Sequence, residues 1–171
     1  ERINGRGEAF GFSLESAGRA PEAFVFIEGS KPAAVSSAKA GAAEFETART
    51  EVVWWRSKGN LEVEGLLTYP IGYQEGRKYP MVVILHGGPY SRFEETFIAR
   101  AGIYPVASFA AKGYAVFRPN PRASTGYGRD FRYLNLKDWG GGDFDDVMTG
   151  VRTQSLADPA RLAIMGWSYG G

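Results

Sequence analysis

The stretch that decides the fold is Arg161-Leu162-Ala163-Ile164-Met165-Gly166-Trp167-Ser168-Tyr169-Gly170. An apolar run followed by G-x-S-x-G is typical of a nucleophile elbow, in which a strand enters a sharp turn that carries a serine and then begins a helix. Glycines are needed at both ends of such a turn because neighbouring backbone passes close to it. The stretch therefore predicts a strand over 161–165 and a nucleophile at Ser168.

A second informative element lies upstream, in Met81-Val82-Val83-Ile84-Leu85-His86-Gly87-Gly88-Pro89. Five consecutive apolar residues bounded by Pro80 and Gly87 predict a fully buried strand, as in the centre of a parallel sheet. In the α/β-hydrolase arrangement, the loop after this strand and the residue after the nucleophile each supply one backbone N–H to an oxyanion hole. We therefore expect the donors to be the amides of Tyr169 and of Gly87 or Gly88, about 3 Å from the oxygen that they hold.

Composition excludes several classes of function. The chain has 171 residues, enough for one domain or a piece of a larger one, and its net charge is +1 with both signs interspersed. This balance indicates neither a nucleic-acid nor an anionic-membrane partner. No apolar stretch reaches the length of a membrane span, and no signal peptide is visible. The absence of cysteine excludes disulfides and thiolate metal sites. The compartment is undetermined, with the cytoplasm favoured over secretion.

The first 46 residues differ in pattern from the rest. Apolar residues alternate with period two over 10–14 and 24–27, which predicts an antiparallel hairpin whose turn lies within 16–21. Small and polar residues over 30–43 predict a loop. Because two strands do not form a stable sheet alone, we expect this segment to be the tail of a larger β domain.

From residue 47 onward, strands and helices alternate. The pattern predicts a hairpin of strands 51–56 and 61–67, the buried strand 81–85, a helix over 105–112, a strand over 114–117, an amphipathic helix over 143–152 and the strand 161–165. Strand, helix, strand, helix, strand is a βαβαβ unit, whose crossover connections imply a parallel sheet. The predicted fold class is α/β.

His86 is the only histidine in the chain, and it is an obvious candidate for a general base beside Ser168. Its position directly after the buried strand argues against that role. In this fold the catalytic histidine follows the serine in chain order. We expect His86 instead to order the oxyanion loop through hydrogen bonds.

The acidic cluster Asp143, Asp145 and Asp146 has two interpretations, a metal site or the first turn of the predicted helix. Carboxylates at a helix start satisfy free N–H groups and favour the dipole, and this interpretation is preferred because no spare histidine ligand exists. Gly140-Gly141-Gly142 lacks the spacing and the lysine of a phosphate-binding loop. The sequence thus predicts no metal and no cofactor.

Arg122 lies in the turn-rich loop Asn120-Pro121-Arg122-Ala123-Ser124-Thr125-Gly126-Tyr127-Gly128, which follows a predicted strand. Such loops border the binding site in open parallel sheets. Arg122 is therefore either a structural ion-pair partner or a substrate-binding residue. The structural role is the favoured expectation.

Four linked motifs occur in one order along the chain. They are His86-Gly87-Gly88-Pro89, the loop from Asn120 to Gly128, Trp139-Gly140-Gly141-Gly142-Asp143, and Gly166 to Gly171. Together they resemble the prolyl oligopeptidase family of serine peptidases, most closely its acylaminoacyl-peptidase and dipeptidyl-peptidase-like members. The resemblance implies that residues 1–46 are the last strands of a β-propeller. It also implies that residues 47–171 are the amino-terminal part of an α/β-hydrolase domain, truncated after the elbow.

The activity implied by the resemblance is cleavage of short peptides through an acyl-enzyme on Ser168, with the propeller restricting access. Some family members supply one oxyanion donor from a tyrosine side chain at the position of His86. Here a backbone amide of Gly87 or Gly88 takes that role, as in the acylaminoacyl-peptidase type. Ala123 stands where glycine is usual. The family's catalytic Asp and His are expected after residue 171, so the chain by itself is expected to be inactive. Homo-oligomerisation of the intact protein is left open.

Two alternatives share the same predicted fold. An esterase or lipase uses the same elbow and oxyanion hole on ester substrates, and a binding domain keeps the elbow without catalytic partners. The period-two strands at the amino end and the Asn120 loop favour the peptidase over the esterase. The binding domain stays open, and an acid followed by a histidine after residue 171 would distinguish the enzyme from it.

Overall fold

The computed structural model of the protein describes residues 2–3, 9–38 and 46–171. Two sheets are present in these ranges, one of four strands and one of five. No helix in the described part of the chain is long and apolar enough to cross a membrane.

The first sheet is an antiparallel meander of β1 (Arg2–Ile3), β2 (Ala9–Ser16), β3 (Arg19–Ile27) and β4 (Ala33–Ala34), in that order. The predicted hairpin is confirmed as the pair of β2 and β3. The short strand β4 lies inside the segment that was expected to be a loop over 30–43. Residues 39–43 of that segment lie outside the described residues.

The turn of this hairpin is shorter than the sequence suggests. Ser16 pairs with Arg19, which leaves a turn of two residues rather than a turn spread over 16–21. Pro21 lies within β3, at a shift of register where two residues of β3 oppose one of β2. A bulge tolerates proline because its unpaired residue needs no ladder N–H. Proline is therefore a poor marker of the turn here.

The second sheet contains β5 (Thr50–Arg56), β6 (Glu62–Thr68), β7 (Tyr79–Leu85), β8 (Ala115–Asn120) and β9 (Ala157–Gly166). Their spatial order is β5-β6-β8-β7-β9. The strand β7 is parallel to both β8 and β9, which confirms the predicted parallel unit. The pairs β5–β6 and β6–β8 are antiparallel, so the complete sheet is mixed.

Three helices accompany the second sheet: α1 (Val106–Ala111), α2 (Gly128–Tyr133) and α3 (Gly142–Thr153). The helices α1 and α3 were predicted within two residues of these bounds, whereas the short α2 was not predicted. The strand β8 also extends three residues beyond its predicted end, through Pro119. Proline is tolerated there because the pairing of β7 with β8 ends at Phe117 and only β6 continues alongside.

The core occupies both faces of the second sheet. One face packs against α3 through a cluster that includes Trp55, Val63, Leu67, Met81, Val83, Phe117 and Val147. The other face packs against α1 through Val82, Ile84, Val116, Val106, Ala110, Ile98, Ala17 and Ala48. Since β7 contributes to both clusters, it is the buried central strand that its sequence predicts.

The two sheets meet at the tip of the first hairpin. Ala17 is buried in the core cluster on the α1 side of the second sheet. Its carbonyl accepts a hydrogen bond from the Ile98 amide at 3.1 Å, and Glu15 Oε2 accepts one from the Phe97 amide at 2.8 Å. The hairpin tip is therefore anchored to the segment before α1.

The strand β9 is less buried than its apolar sequence predicts. Ile164 is 68% exposed and Leu162 is 44% exposed, and Phe144 on α3 is 58% exposed. Among the described strands, β9 pairs only with β7, so it is an edge strand with one flank uncovered. The predicted strand over 161–165 is confirmed, and its uncovered flank accounts for the exposed apolar side chains.

Candidate active site

Ser168 lies at the sharp bend that the sequence predicts. Its φ is 58°, in the left-handed region that a non-glycine residue rarely adopts. A single 3₁₀ turn over Ser168–Gly170 follows. A Cβ on Gly166 would lie 1.7 Å from the Gly170 carbonyl oxygen, so no side chain fits there. The backbone is thus compressed around a strained serine, the geometry of a nucleophile elbow.

The loop after β7 lies directly against this elbow. A Cβ on Gly87 would lie 2.9 Å from the Trp167 carbonyl oxygen, 3.2 Å from Ser168 Cβ and 3.7 Å from Ser168 Oγ. Gly88 has a φ of 131°, and a Cβ there would lie 2.5 Å from the Tyr90 nitrogen. The structure therefore places Gly87 against Ser168. Gly88 and Tyr169 are the residues that follow these two in the chain.

The side chain of Tyr169 is held through its hydroxyl and through its ring. Its hydroxyl donates a hydrogen bond to Asp143 Oδ2, and its ring packs edge-on against Trp139 with centroids 5.4 Å apart. Burial, together with the hydrogen bond to Asp143, raises the pKa of Tyr169 to about 12. The motif that contains Trp139 and Asp143 therefore holds the side chain of the residue that follows Ser168.

His86 is buried at the start of the loop after β7, and both of its ring nitrogens are engaged. Nδ1 lies 2.8 Å from the Gly87 carbonyl oxygen and Nε2 lies 3.0 Å from Ser124 Oγ. The ring also packs edge-on against Phe93. Burial lowers the pKa of His86 below its ordinary value. The hydrogen bonds match the expected ordering role, and they leave neither nitrogen free to act as a base.

Asn120 fastens a second part of the loop after β7. Its Oδ1 accepts a hydrogen bond from the Phe93 amide at 2.7 Å, and its Nδ2 donates to the Phe93 carbonyl at 3.0 Å and to the Tyr127 hydroxyl at 2.8 Å. A fully buried amide that makes three such bonds pins the Phe93 backbone beside His86.

Arg122 forms an ion pair with a buried carboxylate. Its backbone amide, Nε and Nη2 all donate to Asp146, at distances of 2.8, 2.9 and 2.8 Å. The hydrogen bond to Asp146 raises the pKa of the Arg122 guanidinium. This ion pair is the contact that the favoured structural role of Arg122 requires, while a substrate-binding role stays an untested prediction.

The acidic cluster lies at the start of α3 as predicted, with Asp143 and Asp145 in its first turn, but it satisfies only part of the free amides there. The Gly142 amide donates to Oδ2 of Asp138, a residue before the helix, at 2.9 Å. Asp145 pairs with Lys58 at 3.1 Å and Asp146 binds Arg122, while only Asp143 accepts from a first-turn amide. The described residues contain no group of three or more His, Cys, Asp or Glu side chains placed to hold a metal ion. The cluster joins α3 to its neighbours instead.

An apolar cavity of about 370 Å³ borders the elbow between α3 and β9. Its lining includes Tyr169, Trp139, Phe144, Met148 and Ile164. Ser168 is not part of this lining, so the cavity lies beside that residue.

Sequence reasoning missed Asn120, Ser124 and Asp138 as residues that build the site. The first two stand inside a quoted motif, and their polar side chains directly after a buried strand were the available signal. Their partners, Phe93 and His86, lie 27 and 38 residues away along the chain. Such pairings cannot be read from local spacing.

Comparison with known proteins places this geometry in context. The model of the Prolyl oligopeptidase family matches residues 103–171. Dipeptidyl-peptidase 5 of Schizosaccharomyces pombe is 32% identical over 125 residues, which cover 71% of this chain and 18% of that protein. The uncharacterised peptidase YuxL of Bacillus subtilis is 36% identical over 125 residues, with the same two coverages.

A solved structure resembles the chain over nearly its whole length. The Pyrococcus horikoshii acylaminoacyl peptidase superposes with a TM-score of 0.82 at 29% identity, covering 95% of this chain and 26% of that one. This match supports an α/β fold. The chain spans 18% of the two curated relatives and 26% of the solved structure. Together these findings confirm the family resemblance that the four motifs indicate.

Proposed function

Because residues 103–171 belong to a prolyl oligopeptidase family domain, we propose that the chain supplies the nucleophile and oxyanion hole of a serine peptidase. Its substrates are short peptides, which it cleaves through an acyl-enzyme on Ser168. The observation that carries the proposal is the strained Ser168, with a φ of 58°, packed against Gly87 of the preceding loop.

The oxyanion hole is assigned to two backbone amides. The Tyr169 amide is one donor, and the amide of Gly87 or Gly88 is the other. Backbone donors suit the role because they are fixed before the reaction and need no reorganisation as charge develops on the oxygen. The contact of Gly87 with the serine supports this assignment, since it places the two loops side by side.

The proposed reaction is acyl transfer in two stages. Ser168 Oγ attacks the peptide carbonyl carbon and gives its proton to a base, while the carbonyl electron pair moves onto the oxygen held by the two amides. Collapse of this intermediate breaks the C–N bond, and the amine leaves with the proton. Water then attacks the acyl-enzyme, releases the carboxylic acid and returns the proton to Ser168.

The general base and its acidic partner are assigned to residues outside this chain. The single histidine, His86, has both ring nitrogens engaged with Gly87 and Ser124. The chain covers 18% of its curated relatives, which supports a larger protein with further catalytic residues. We therefore expect the chain alone to be catalytically inactive.

The amino-terminal sheet is proposed to be part of a β-propeller over residues 1–46, joined to an α/β-hydrolase domain over 47–171. A four-stranded antiparallel meander is the form of a propeller blade. A propeller beside the site would exclude large substrates, which is the basis for proposing short peptides.

The proposal is tested by labelling the full-length protein with a fluorophosphonate and measuring hydrolysis of short peptide anilides. We expect one labelled residue, Ser168, and a rate that falls at least about 1000-fold in Ser168→Ala. The 171-residue chain, tested in parallel, should show no hydrolysis. Ser155→Ala, at an exposed serine, is the control that should react as the wild type does.

Two other outcomes would overturn the peptidase proposal. Rapid cleavage of short acyl esters with no cleavage of anilides would identify an esterase with the same fold. No labelling of a folded full-length protein would identify a binding domain that has kept the elbow without the catalytic partners.

A further inference from the structure

The side chain of Tyr169 connects the elbow to the start of α3. Its hydroxyl donates a hydrogen bond to Oδ2 of Asp143, which is the second residue of that helix. Its ring packs edge-on against Trp139, in the segment just before the helix. The residue after the proposed nucleophile is therefore attached through its side chain to a distant part of the chain.

The carboxylate of Asp143 uses both of its oxygens. Oδ1 accepts a hydrogen bond from the Phe144 amide at 2.9 Å, and Oδ2 accepts the one from Tyr169. Asp143 is only 6% exposed, so little water competes for either bond. A hydrogen bond to a charged group is about twice as strong as one between neutral groups. The bond from Tyr169 is therefore a firm link between the elbow and α3.

The backbone of Tyr169 needs such a link. Its amide lies in the first turn of the 3₁₀ helix over Ser168–Gly170, where N–H groups have no acceptor within the helix and are open to a ligand. The bend before it is strained, with a φ of 58° at Ser168, and strained backbone persists only where surrounding contacts over-determine it. Gly170 and Gly171 follow, and glycine has no side chain to make such a contact.

We propose that Asp143 is a positioning residue that acts through the Tyr169 hydroxyl to keep the Tyr169 amide directed at the oxyanion. This inference rests on the proposed peptidase function, in which that amide is one oxyanion donor. Without the bond, the Tyr169 side chain would keep only its ring contact with Trp139. The bend at Ser168 could then relax and turn the amide away.

A different role for Asp143 is to cap α3 through the Phe144 amide alone, and three substitutions separate the two roles. Tyr169→Phe removes the hydroxyl and leaves the bond to Phe144. Asp143→Ala removes both bonds, and Asp143→Asn keeps one oxygen acceptor of the same reach. Asp145→Ala is the matched control, because Asp145 lies in the same helical turn but pairs with Lys58.

The variants, and the double variant of Tyr169→Phe with Asp143→Ala, are made in the full-length protein and assayed on a peptide anilide. We expect each of these two single variants to lower kcat about 10- to 100-fold with little change in KM, the effect of losing a hydrogen bond to a charged group. Affinity for a peptide boronate, which forms a tetrahedral adduct with Ser168, should fall in parallel. Asp143→Asn should recover kcat to within about tenfold of the wild type, and Asp145→Ala should match it.

The double variant decides whether the two residues act together. Since both single substitutions remove the same bond, the double variant should be no slower than the slower single variant. Losses that multiply would show that Asp143 and Tyr169 act separately. Full kcat in Tyr169→Phe, with a loss in Asp143→Ala, would assign Asp143 to helix capping. Either result would refute the positioning role.

The bond itself is measured by carbon NMR of full-length protein labelled at tyrosine Cζ, with the Tyr169 signal assigned by its loss in Tyr169→Phe. The signal should move in Asp143→Ala towards that of a solvent-exposed tyrosine and stay in place in Asp145→Ala. An unmoved signal in Asp143→Ala would contradict the inference. This readout does not depend on catalysis, so the expected signals in a protein that hydrolyses no peptide would count against the proposed function alone.

Discussion

The two loops that meet at Ser168 are held in place by opposite means. The elbow from Gly166 to Gly170 depends on the absence of side chains, because a Cβ on either of those glycines would overlap backbone oxygen. The loop after β7 depends on the presence of side chains, since His86 connects it to the loop after β8 and Asn120 connects it to the end of β8. The first arrangement is local in sequence, and the second joins distant segments.

This difference predicts different responses to substitution. The backbone of the elbow is crowded. A substitution that adds side-chain atoms should therefore distort the turn, and one that removes them should relieve strain. The network that supports the oxyanion loop is polar and buried, so it is damaged when one partner is removed and the other remains. Each prediction below acts on one of these two regions and leaves the other intact.

The largest effect is expected in the network, for Asp146→Ala. Asp146 is completely buried and receives three hydrogen bonds from Arg122, in the loop that also carries Asn120 and Ser124. Removing one member of a buried ion pair leaves the other uncompensated, so the free energy of unfolding should fall by about 3–5 kcal/mol. Urea denaturation measures this change.

The neighbouring carboxylate provides the matched control for that experiment. Asp145→Ala removes the solvent-exposed pair with Lys58 and should cost less than about 1 kcal/mol. Equal losses for Asp145→Ala and Asp146→Ala would show that the buried pair does not support the loop.

The elbow is tested by Gly166→Ala. The new Cβ would lie 1.7 Å from the Gly170 carbonyl oxygen, so the turn has to open. We expect the free energy of unfolding to fall by about 1–3 kcal/mol, which is typical of overpacking. The reaction of Ser168 with a fluorophosphonate should be at least about tenfold slower. Gly102→Ala, where a Cβ meets no atom within 4 Å, should leave both measurements unchanged. A stable, normally reactive Gly166→Ala would refute the crowding argument.

A smaller effect on the free energy of unfolding, with the opposite sign, is expected when Ser168 itself is replaced. Ser168→Gly relieves the strain of a non-glycine residue at a φ of 58°, whereas Ser168→Ala retains it. The glycine variant should therefore be about 1 kcal/mol more stable than the alanine variant, as measured by thermal unfolding. If alanine were the more stable of the two, the bend would not be strained.

The smallest effect is a dependence of stability on pH that arises from His86. Burial lowers the pKa of His86 from 6.5, so just below that pH the unfolded state binds more protons than the folded state. The stabilising contribution is therefore complete above 6.5 and is lost as the pH falls towards the pKa in the folded protein. When the pH is lowered from about 7.5 to about 5.5, the free energy of unfolding of the wild type should fall by up to about 1 kcal/mol more than that of His86→Asn. Identical pH profiles would show that burial does not disfavour the charged ring.

The same contrast explains which features could be predicted from sequence. The central strand β7, the helix α3 and the bend at Ser168 follow from local patterns: an apolar run, a helical period and a glycine-flanked serine. The contact of the Asp143 carboxylate with Tyr169 joins residues 26 apart, and the bond between Ser124 and His86 joins residues 38 apart. Their partners are brought together only by the parallel order of the strands.

Errors in the predictions have physical causes of the same kind. Apolar composition indicates that β9 belongs to a sheet, yet it cannot reveal that β9 has a single neighbour among the described strands. Pro21 and Pro119 lie inside strands, although proline lacks the N–H donor of a strand ladder. Pro21 lies at a bulge, and Pro119 pairs with β6 alone because the pairing of β7 with β8 has already ended.

The anchored tip of the β2–β3 hairpin has a consequence for motion between the two sheets. Ala17 is buried against the second sheet and its carbonyl is bonded to Ile98, so rotation of the first sheet must pivot about this tip or break the bond. Ile98 lies five residues beyond Phe93, which packs against His86. A swing of the first sheet would therefore pull on the backbone that leads from Ile98 back to Phe93, and strain applied at the hairpin tip would reach the loop after β7.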